Sequence, residues 1–208
     1  MNNLVEIRES ITQISKNFKF LDFKNKSIVN ETLKTLDSID QNEIRLNTEK
    51  ERMHHNKGIE IYRFASIIFG NNIEYVFNVN AITDFIQKNN IETNSINVKE
   101  LASFISDVDQ ARIYKEIDSG MHSLETGIAQ YKKRNPIILI GEKNQEGVRG
   151  LVVNGNHRIL SNHRKYVTVK QIEYYFIDHR NTRKFLVNEE YKKLHDVMSR
   201  YYYLLSQT

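Results

Sequence analysis

Apolar residues recur at helical spacing along the first part of the chain. Between residues 4 and 18 every third or fourth position is apolar, which predicts an amphipathic helix. The residues of this stripe are Leu4, Ile7, Ile11, Ile14 and Phe18. A weaker stripe from Ile28 to Ile39 predicts a second helix, and the strongly charged stretch 43–57 predicts a solvated helix or a linker. Residues 1–56 are therefore expected to be mainly helical.

The next stretch mixes strand-like and helix-like patterns. Ile59 to Phe64 alternates apolar and polar residues as a strand does, although the same residues could continue as a helix into Ile68. Residues 73–79 are mostly aromatic or β-branched, which predicts a strand, and residues 81–88 predict a short helix.

A helix start is expected near residue 97. Asn97 followed by Glu100 resembles a capping box, in which a polar side chain accepts a hydrogen bond from the first helical turn. The expected apolar face of this single helix is Leu101, Phe104, Ile105 and Val108.

The second half of the chain carries the clearest hairpin pattern. A helix is expected at 123–133, ended by Pro136, which suits the first residue of a strand. Residues 137–140 form a continuous apolar run, typical of a strand that is buried on both faces. Residues 151–153 predict its partner strand, across a long polar loop at 141–150.

Three more elements are expected after the hairpin. They are a helix at 156–165, a long strand at 167–177 and a final helix that Asn188 can cap. The expected apolar face of the final helix is Leu194, Met198, Tyr201 and Leu205.

These elements predict an α+β fold, with a helical N-terminal region and a small mixed β-sheet domain with packed helices. The expected domains are a mainly helical region at 1–97, the sheet domain at 98–180, and a C-terminal helix at 181–208 that packs on the sheet domain.

Composition narrows the class of protein. A hydrophobic content of 39% and a charged content of 27% are typical of a globular protein. No apolar run reaches the length of a membrane span and the N-terminus lacks signal-peptide features, so a cytoplasmic location without membrane contact is expected. The chain has no cysteine, which excludes disulfides, thiolate catalysis and thiolate metal sites. No metal-ligand motif is recognised.

Charge is unevenly distributed along the chain. Residues 1–130 carry 15 basic and 19 acidic residues, a net charge of −4. Residues 131–208 carry 15 basic and 7 acidic residues, a net charge of +8. A basic C-terminal third suits a polyanionic partner, either a nucleotide or a nucleic acid, and is equally compatible with an ordinary solvated surface.

The most specific sequence feature is the segment Asn154-Gly155-Asn156-His157-Arg158. It lies between a predicted strand and a predicted helix. A strand that turns through glycine into a helix presents backbone N–H groups and the positive end of the helix dipole. With a histidine and an arginine added, this turn is a natural place to hold a phosphate.

Together with its flanking elements, the turn resembles the ParB/sulfiredoxin superfamily. In that superfamily a helix leads into a proline-led strand, and the next strand ends in Asp-Gly-x-His-Arg or Gly-x-Arg-Arg. The resemblance covers roughly residues 98–180, with the leading helix at Ser123 to Lys133.

The resemblance implies nucleotide binding, with ATP or CTP and Mg²⁺ as cofactors. Members include partition proteins that hydrolyse CTP, sulfiredoxins, serine kinases and ParB-like nucleases. Carried over, Gly155 would admit close backbone approach, Asn154, Asn156 and His157 would contact phosphate oxygens, and Arg158 would clamp the phosphates. His157 and Arg158 would then serve hydrolysis or phosphoryl transfer. Glu125, in the preceding helix, is the nearest match to the catalytic base of the serine kinases.

The chain departs from the family pattern at several points. Asn156 stands where sulfiredoxin needs a cysteine, which excludes sulfinic-acid repair. Asn154 replaces the usual aspartate, and an amide cannot act as a base. The Glu-Asn-x-x-Arg box and the helix-turn-helix pair of the partition proteins are not found.

Each site residue also has a structural interpretation. Arg158 could pair with an acid and pin its helix to the hairpin. His157 could be a structural hydrogen-bond donor, Asn154 and Asn156 could be helix caps, and Glu125 could be an ordinary surface residue.

A second function class is open from sequence. The chain could be a DNA-associated or protein-interaction module of phage or plasmid type, ParB-like and nuclease-like. It would use the basic C-terminal third on nucleic acid and the N-terminal helices on a protein partner.

Overall fold

The computed structural model describes residues 4–17, 23–44, 48–68, 71–118, 137–144, 147–165 and 171–207. They form an α+β protein, as the sequence predicts. The helices are α1 (Leu4–Asn17), α2 (Phe23–Asp37), α3 (Thr48–Asn56), α4 (Val79–Lys88), α5 (Val98–Ala102), α6 (Asp107–Asp118), α7 (Asn156–Lys165) and α8 (Glu189–Ser206). The strands are β1 (Ile61–Ile68), β2 (Asn71–Asn78), β3 (Thr93–Asn97), β4 (Ile138–Asn144), β5 (Gly147–Asn154) and β6 (Gln171–Asp178). A 3₁₀ helix covers His179–Phe185.

The chain divides into two compact units. Unit 1 comprises Met1–Asn78 together with Arg183–Thr208, and unit 2 comprises Val79–Thr182. The sheet domain thus begins earlier than the expected boundary at residue 98, because β3 is one of its strands and pairs with β6. The C-terminal helix α8 belongs to unit 1, whereas the sequence placed it on the sheet domain.

Unit 1 is built from helices and a two-stranded hairpin. The predicted N-terminal stripe is confirmed in α1, where Leu4, Ile7, Ile11 and Ile14 are buried, while Phe18 lies outside the described residues. The stretch after residue 59 forms the strand β1, which pairs antiparallel with β2 along its whole length. Of the charged stretch 43–57, residues 48–56 form α3.

Helix α8 begins as the sequence predicts. The Asn188 side chain accepts a hydrogen bond from the Tyr191 backbone N–H at 2.9 Å, which caps the first turn. Its buried face is Tyr191, Leu194, Val197, Met198, Tyr201 and Leu204, so Leu204 replaces the expected Leu205.

Unit 2 contains a four-stranded mixed sheet in the order β3-β6-β4-β5. Strand β6 pairs antiparallel with β3 and parallel with β4, and β5 pairs antiparallel with β4. All four residues from Ile137 to Ile140 are buried, which confirms a strand covered on both faces. Helix α7 packs its fully buried Ile159 and Leu160 into the core of this unit.

The β4–β5 hairpin is longer than the sequence predicts. The expected loop at 141–150 is mostly strand, because β4 continues to Asn144 and β5 begins at Gly147. Gly141 and Gly150 face each other across the pair. A Cβ on Gly141 would lie 2.0 Å from the Arg149 carbonyl oxygen, so the glycines serve close strand approach rather than a turn.

The helix predicted after Asn97 is two helices. Asn97 does cap α5, because its side chain accepts from the Lys99 backbone N–H. However, α5 ends at Ala102, and Ser106 starts α6 by accepting from the Asp109 N–H at 3.2 Å. The Gln110 side chain donates to the Ile105 carbonyl at 2.8 Å, which gives this carbonyl a hydrogen-bond partner between the two helices. Ser106 and Asp109 carry the spacing of a capping box, a signal that sequence reasoning missed.

Some predicted features lie outside the described residues. They are the helix at 123–133, Pro136, and the first part of the strand predicted at 167–177.

Candidate functional site

The strand–turn–helix at residues 154–158 is present as the sequence predicts. Strand β5 ends at Asn154, Gly155 has a φ of +97°, and α7 begins at Asn156. The Ile159 N–H donates to the Gly155 carbonyl at 2.9 Å, which is the first bond of the helix. Residues 156–158 form the first turn of α7, and the N-terminus of a helix in general favours an anion.

Gly155 is required here for two separate reasons. A φ of +97° lies in a region that L-residues rarely adopt. In addition, a Cβ at this position would lie 2.7 Å from Ile137 Cγ1 and 3.1 Å from Arg158 Nη2. The turn is therefore tightly enclosed by the start of β4 on one side and the Arg158 guanidinium on the other.

Polar side chains are buried around this turn. Asn154 and Asn156 are each 8% exposed, and Ser161 and Asn162 of α7 are also buried. The Asn162 side chain donates to the Arg158 carbonyl oxygen at 2.7 Å. This bond within α7 gives the buried Asn162 amide the partner that a buried polar group needs.

The His157 side chain contacts an acid that sequence reasoning missed. Its Nε2 lies 2.6 Å from Oε2 of Glu116, which is on α6, and both side chains are about a quarter exposed (26% and 27%). The other Glu116 oxygen accepts from Arg112 Nη1 at 2.9 Å. The structure thus favours the structural interpretation of the His157 side chain, while the His157 backbone N–H remains in the turn.

These two partners hold the pKa of the Glu116 carboxyl below its ordinary value. The hydrogen bond from His157 is the largest cause, and burial opposes it. Burial acts to lower the pKa of the Arg112 guanidinium, but the hydrogen bonds that Arg112 donates to Asp109 and Glu116, together with their negative charges, raise it above its ordinary value. Glu116 is therefore ionised at neutral pH, so the proton in the 2.6 Å contact must lie on His157 Nε2.

A second histidine joins the same two helices. His163 Nδ1 lies 3.1 Å from the Tyr114 hydroxyl of α6, and the His163 side chain is half-buried. No short-range pattern could have revealed these two contacts, because their partners are 41 and 49 residues apart along the chain.

The structure brings together the five turn residues but does not test Glu125. Residues 119–136, which include Glu125 and the basic run at 132–134, lie outside the described part of the chain. Among the described residues, no group of three or more His, Asp or Glu side chains is placed to hold a metal ion.

Much of the basic charge near the C-terminus is paired with acids. The ion pairs are Arg180 with Asp178, Arg183 with Asp196, Lys192 with Glu189, Lys193 with Glu190, and Arg200 with Glu31. Each pair offsets one positive charge locally. Four of these five acids lie within residues 131–208 and are already counted in its net charge of +8, and only Glu31 lies outside that segment.

Comparison with known proteins finds no relative of this chain. No protein-family model, curated protein or solved structure matches the chain. Within the described part of the chain, no helix has the length and apolar character needed to cross a membrane.

Proposed function

We propose that the protein binds a nucleotide, ATP or CTP with Mg²⁺, through the turn at residues 154–158, in the manner of a ParB/sulfiredoxin-like domain. The observation that supports the proposal is the backbone conformation of Gly155. Its φ of +97° and the lack of room for a Cβ produce a tight backbone turn at the N-terminus of α7. Backbone N–H groups at a helix N-terminus are a recurrent phosphate site.

The residues of the turn have distinct roles in this proposal. The N–H groups of Asn156, His157 and Arg158 donate to phosphate oxygens, and Gly155 supplies the positive φ that turns the chain from β5 into α7. The Arg158 guanidinium, which lies against Gly155, adds a charge-assisted contact. Asn154 and Asn156 are the buried polar residues on either side of Gly155.

Mg²⁺ would neutralise phosphate charge when it enters with the nucleotide, since Mg²⁺ commonly binds through phosphates and water with few protein ligands. The candidate residues for hydrolysis or phosphoryl transfer are His157, Arg158 and Glu125. Binding is the stronger part of the proposal, because the amide of Asn154 cannot take a proton and the His157 side chain donates to Glu116.

Direct binding measurements test the proposal. We expect ATP or CTP with Mg²⁺ to raise the melting temperature and to bind saturably in calorimetry. Replacing Arg158 by alanine should weaken that affinity by about 10- to 100-fold, the value of a charge-assisted hydrogen bond of roughly 1.5–3 kcal/mol. Arg158→Lys should retain part of the affinity, because it keeps the charge but loses the planar fork.

The matched control is Arg149→Ala, which removes the same charge from an exposed position near the other end of β5. It should leave nucleotide affinity within about twofold, since an exposed distant charge is largely screened. If no nucleotide shifts the melting temperature of the unaltered protein, the proposal is wrong. Binding to DNA that weakens steeply with salt and responds equally to both arginine variants would favour the nucleic-acid alternative instead.

A further inference from the structure

We propose that one end of the helical part of unit 1 binds a single strand of nucleic acid. Tyr202 and Tyr203 stack on its bases, and exposed lysines contact its phosphates. We call this surface the tyrosine end, and it consists of residues 12–16, 24–30 and 197–207. The site is a second one, in unit 1, and does not depend on the nucleotide site proposed for unit 2.

The run Tyr201-Tyr202-Tyr203 near the end of α8 is divided between core and surface. Tyr201 is 4% exposed and belongs to the core, whereas Tyr202 and Tyr203 are 56% and 37% exposed. Among the described residues, the other large apolar side chains with such exposure are Val5 of α1 and Met53 of α3. Two neighbouring exposed aromatic rings are therefore particular to this end of α8, and packing does not account for them.

The exposed face of α8 leaves these rings accessible. Its members recur at helical spacing and are Ser199, Tyr202, Tyr203, Ser206 and Gln207. A serine lies one turn before the tyrosines and another one turn after them, and a serine side chain is too short to cover a ring. Accessible aromatic rings are the groups on which proteins stack the bases of a single strand, and such stacking needs no particular base.

Three helix ends meet at the tyrosine end. Helices α1, α2 and α8 pack against one another. Arg8, near the start of α1, pairs with Asp37, the last residue of α2, so these two helices run antiparallel. Lys193, near the start of α8, donates to the carbonyl of Ser38, which directly follows α2, so α8 and α2 also run antiparallel. The last turns of α1 and α8 therefore lie beside the first turns of α2.

The tyrosine end is positively charged and contains no Asp or Glu. Its basic residues are Lys16, Lys24, Lys26 and Arg200. Arg200 is paired with Glu31 of α2, and the three lysines are exposed. Lys24 Nζ lies 5.9 Å from the centre of the Tyr203 ring, so positive charge and an exposed ring are adjacent. In the segment 18–22, which joins α1 to α2, one lysine and one aspartate offset each other in charge.

The class of partner follows from the rings and the charge together. A single strand of nucleic acid offers a phosphate for a lysine and an unstacked base for a tyrosine at every nucleotide. A duplex already stacks its bases on one another, so it would use only the lysines. An anionic membrane fits less well, because a helix at a membrane surface buries a broad apolar face, whereas the exposed face of α8 places its two tyrosines among serines and a glutamine.

Fluorescence anisotropy of a labelled thymidine oligomer of about 12 nucleotides, with the full-length protein, tests the inference. We expect saturable binding that Tyr202→Ala weakens about 5- to 100-fold, the value of one lost stacking contact. Tyr202→Phe should bind within about twofold of the unaltered protein, because the ring rather than the hydroxyl makes the contact. Lys24→Gln should reduce the slope of log affinity against log salt by about 0.7, the value of one phosphate contact.

Two matched controls lie toward the opposite end of the same helices. Val5→Ala removes an exposed apolar side chain near the start of α1, and Lys34→Gln removes an exposed lysine near the end of α2. Neither should change the affinity for the oligomer. The inference is wrong if these controls lose as much affinity as Tyr202→Ala and Lys24→Gln, or if Tyr202→Ala binds the oligomer as tightly as the unaltered protein.

Two further probes identify other partners. A duplex of the same length that binds as tightly as the single strand would show that base stacking contributes nothing, which overturns the inference. Vesicles that contain phosphatidylserine are the second probe. If Tyr202→Ala loses affinity for these vesicles but not for the oligomer, the tyrosine end contacts a membrane and the inference is wrong.

The same proteins distinguish this inference from the proposed function. Binding of Mg²⁺-ATP or Mg²⁺-CTP should be the same in Tyr202→Ala as in the unaltered protein, because the nucleotide site is in unit 2. If the unaltered protein binds nucleotide but not the oligomer, the inference is wrong and the proposed function stands. If it binds the oligomer but no nucleotide, the proposed function is wrong and the inference stands.

Discussion

At the scale of single residues, the role of Gly155 in the 154–158 turn can be predicted from the sequence, whereas the role of Glu116 beside that turn cannot. The sequence predicts the role of Gly155, because a strand followed by a glycine and a helix needs a sharp turn. Its positive φ confirms this, and its contact with Ile137 adds a steric reason that no local pattern contains. Glu116 is the opposite case, because nothing in its neighbourhood marks it as the partner of His157.

Gly155→Ala should therefore destabilise unit 2 by about 1–3 kcal/mol, from backbone strain and the close contact with Ile137. Urea unfolding followed by circular dichroism measures this. The matched control is Gly147→Ala, where φ is +126° but no atom lies within 4 Å of the added Cβ. If the urea midpoint of Gly155→Ala is no lower than that of Gly147→Ala, the contact with Ile137 does not restrict position 155.

At the scale of elements, boundaries depend on side-chain hydrogen bonds that a periodic pattern does not resolve. The apolar face from Leu101 to Val108 predicted one helix because its spacing is helical. The Ser106 cap and the Gln110 bond to the Ile105 carbonyl make a break there favourable. In the β4–β5 hairpin, Gly141 and Gly150 favour the prediction of a loop, but both lie within strands. Glycine is needed there because the two strands approach closely.

The contact between α6 and α7 should contribute pH-dependent stability through Glu116. Its pKa is lower in the folded protein than in the unfolded chain, so its contribution is complete above the unfolded pKa of about 4.3 and declines as pH falls through the folded value. We expect Glu116→Gln to be less stable than the unaltered protein at pH 6 and nearly equal to it at the acid end of this range.

Urea midpoints between pH 6 and pH 3 measure this difference. Glu173→Gln, at an exposed position, should show a difference that does not change with pH. If the loss of stability in Glu116→Gln became larger as the pH falls, this would contradict a stabilising role for the ionised Glu116 carboxylate.

At the scale of the whole molecule, one unit is formed by a single stretch of the chain and the other by two separate stretches. Unit 2 is one continuous segment, Val79–Thr182, whereas unit 1 needs both ends of the chain. Helix α8 supplies fully buried residues such as Tyr191 and Leu194, and its Tyr191 hydroxyl donates to the Ile44 carbonyl at 3.0 Å. Helix α8 thus belongs to the same compact unit as the N-terminal helices, although it is far from them along the chain.

A fragment of residues 79–182 should fold alone, because its core and sheet lie within it. A fragment of residues 1–78 should not unfold cooperatively, because it lacks α8. Far-ultraviolet circular dichroism and thermal melts of both fragments measure this. Supplying residues 183–208 as a peptide should restore structure to the 1–78 fragment, and cooperative unfolding of 1–78 by itself would contradict the division.

The sequence alone determined the features that depend on near neighbours. These are the amphipathic α1, the buried strand at 137–140, the Asn188 cap, and the glycine turn into α7, because periodicity, capping and backbone freedom act over a few residues. Tertiary structure alone decided which distant side chains meet. It joined Glu116 to His157 and placed α8 with the N-terminal helices, because these outcomes depend on packing between elements that are far apart in the chain.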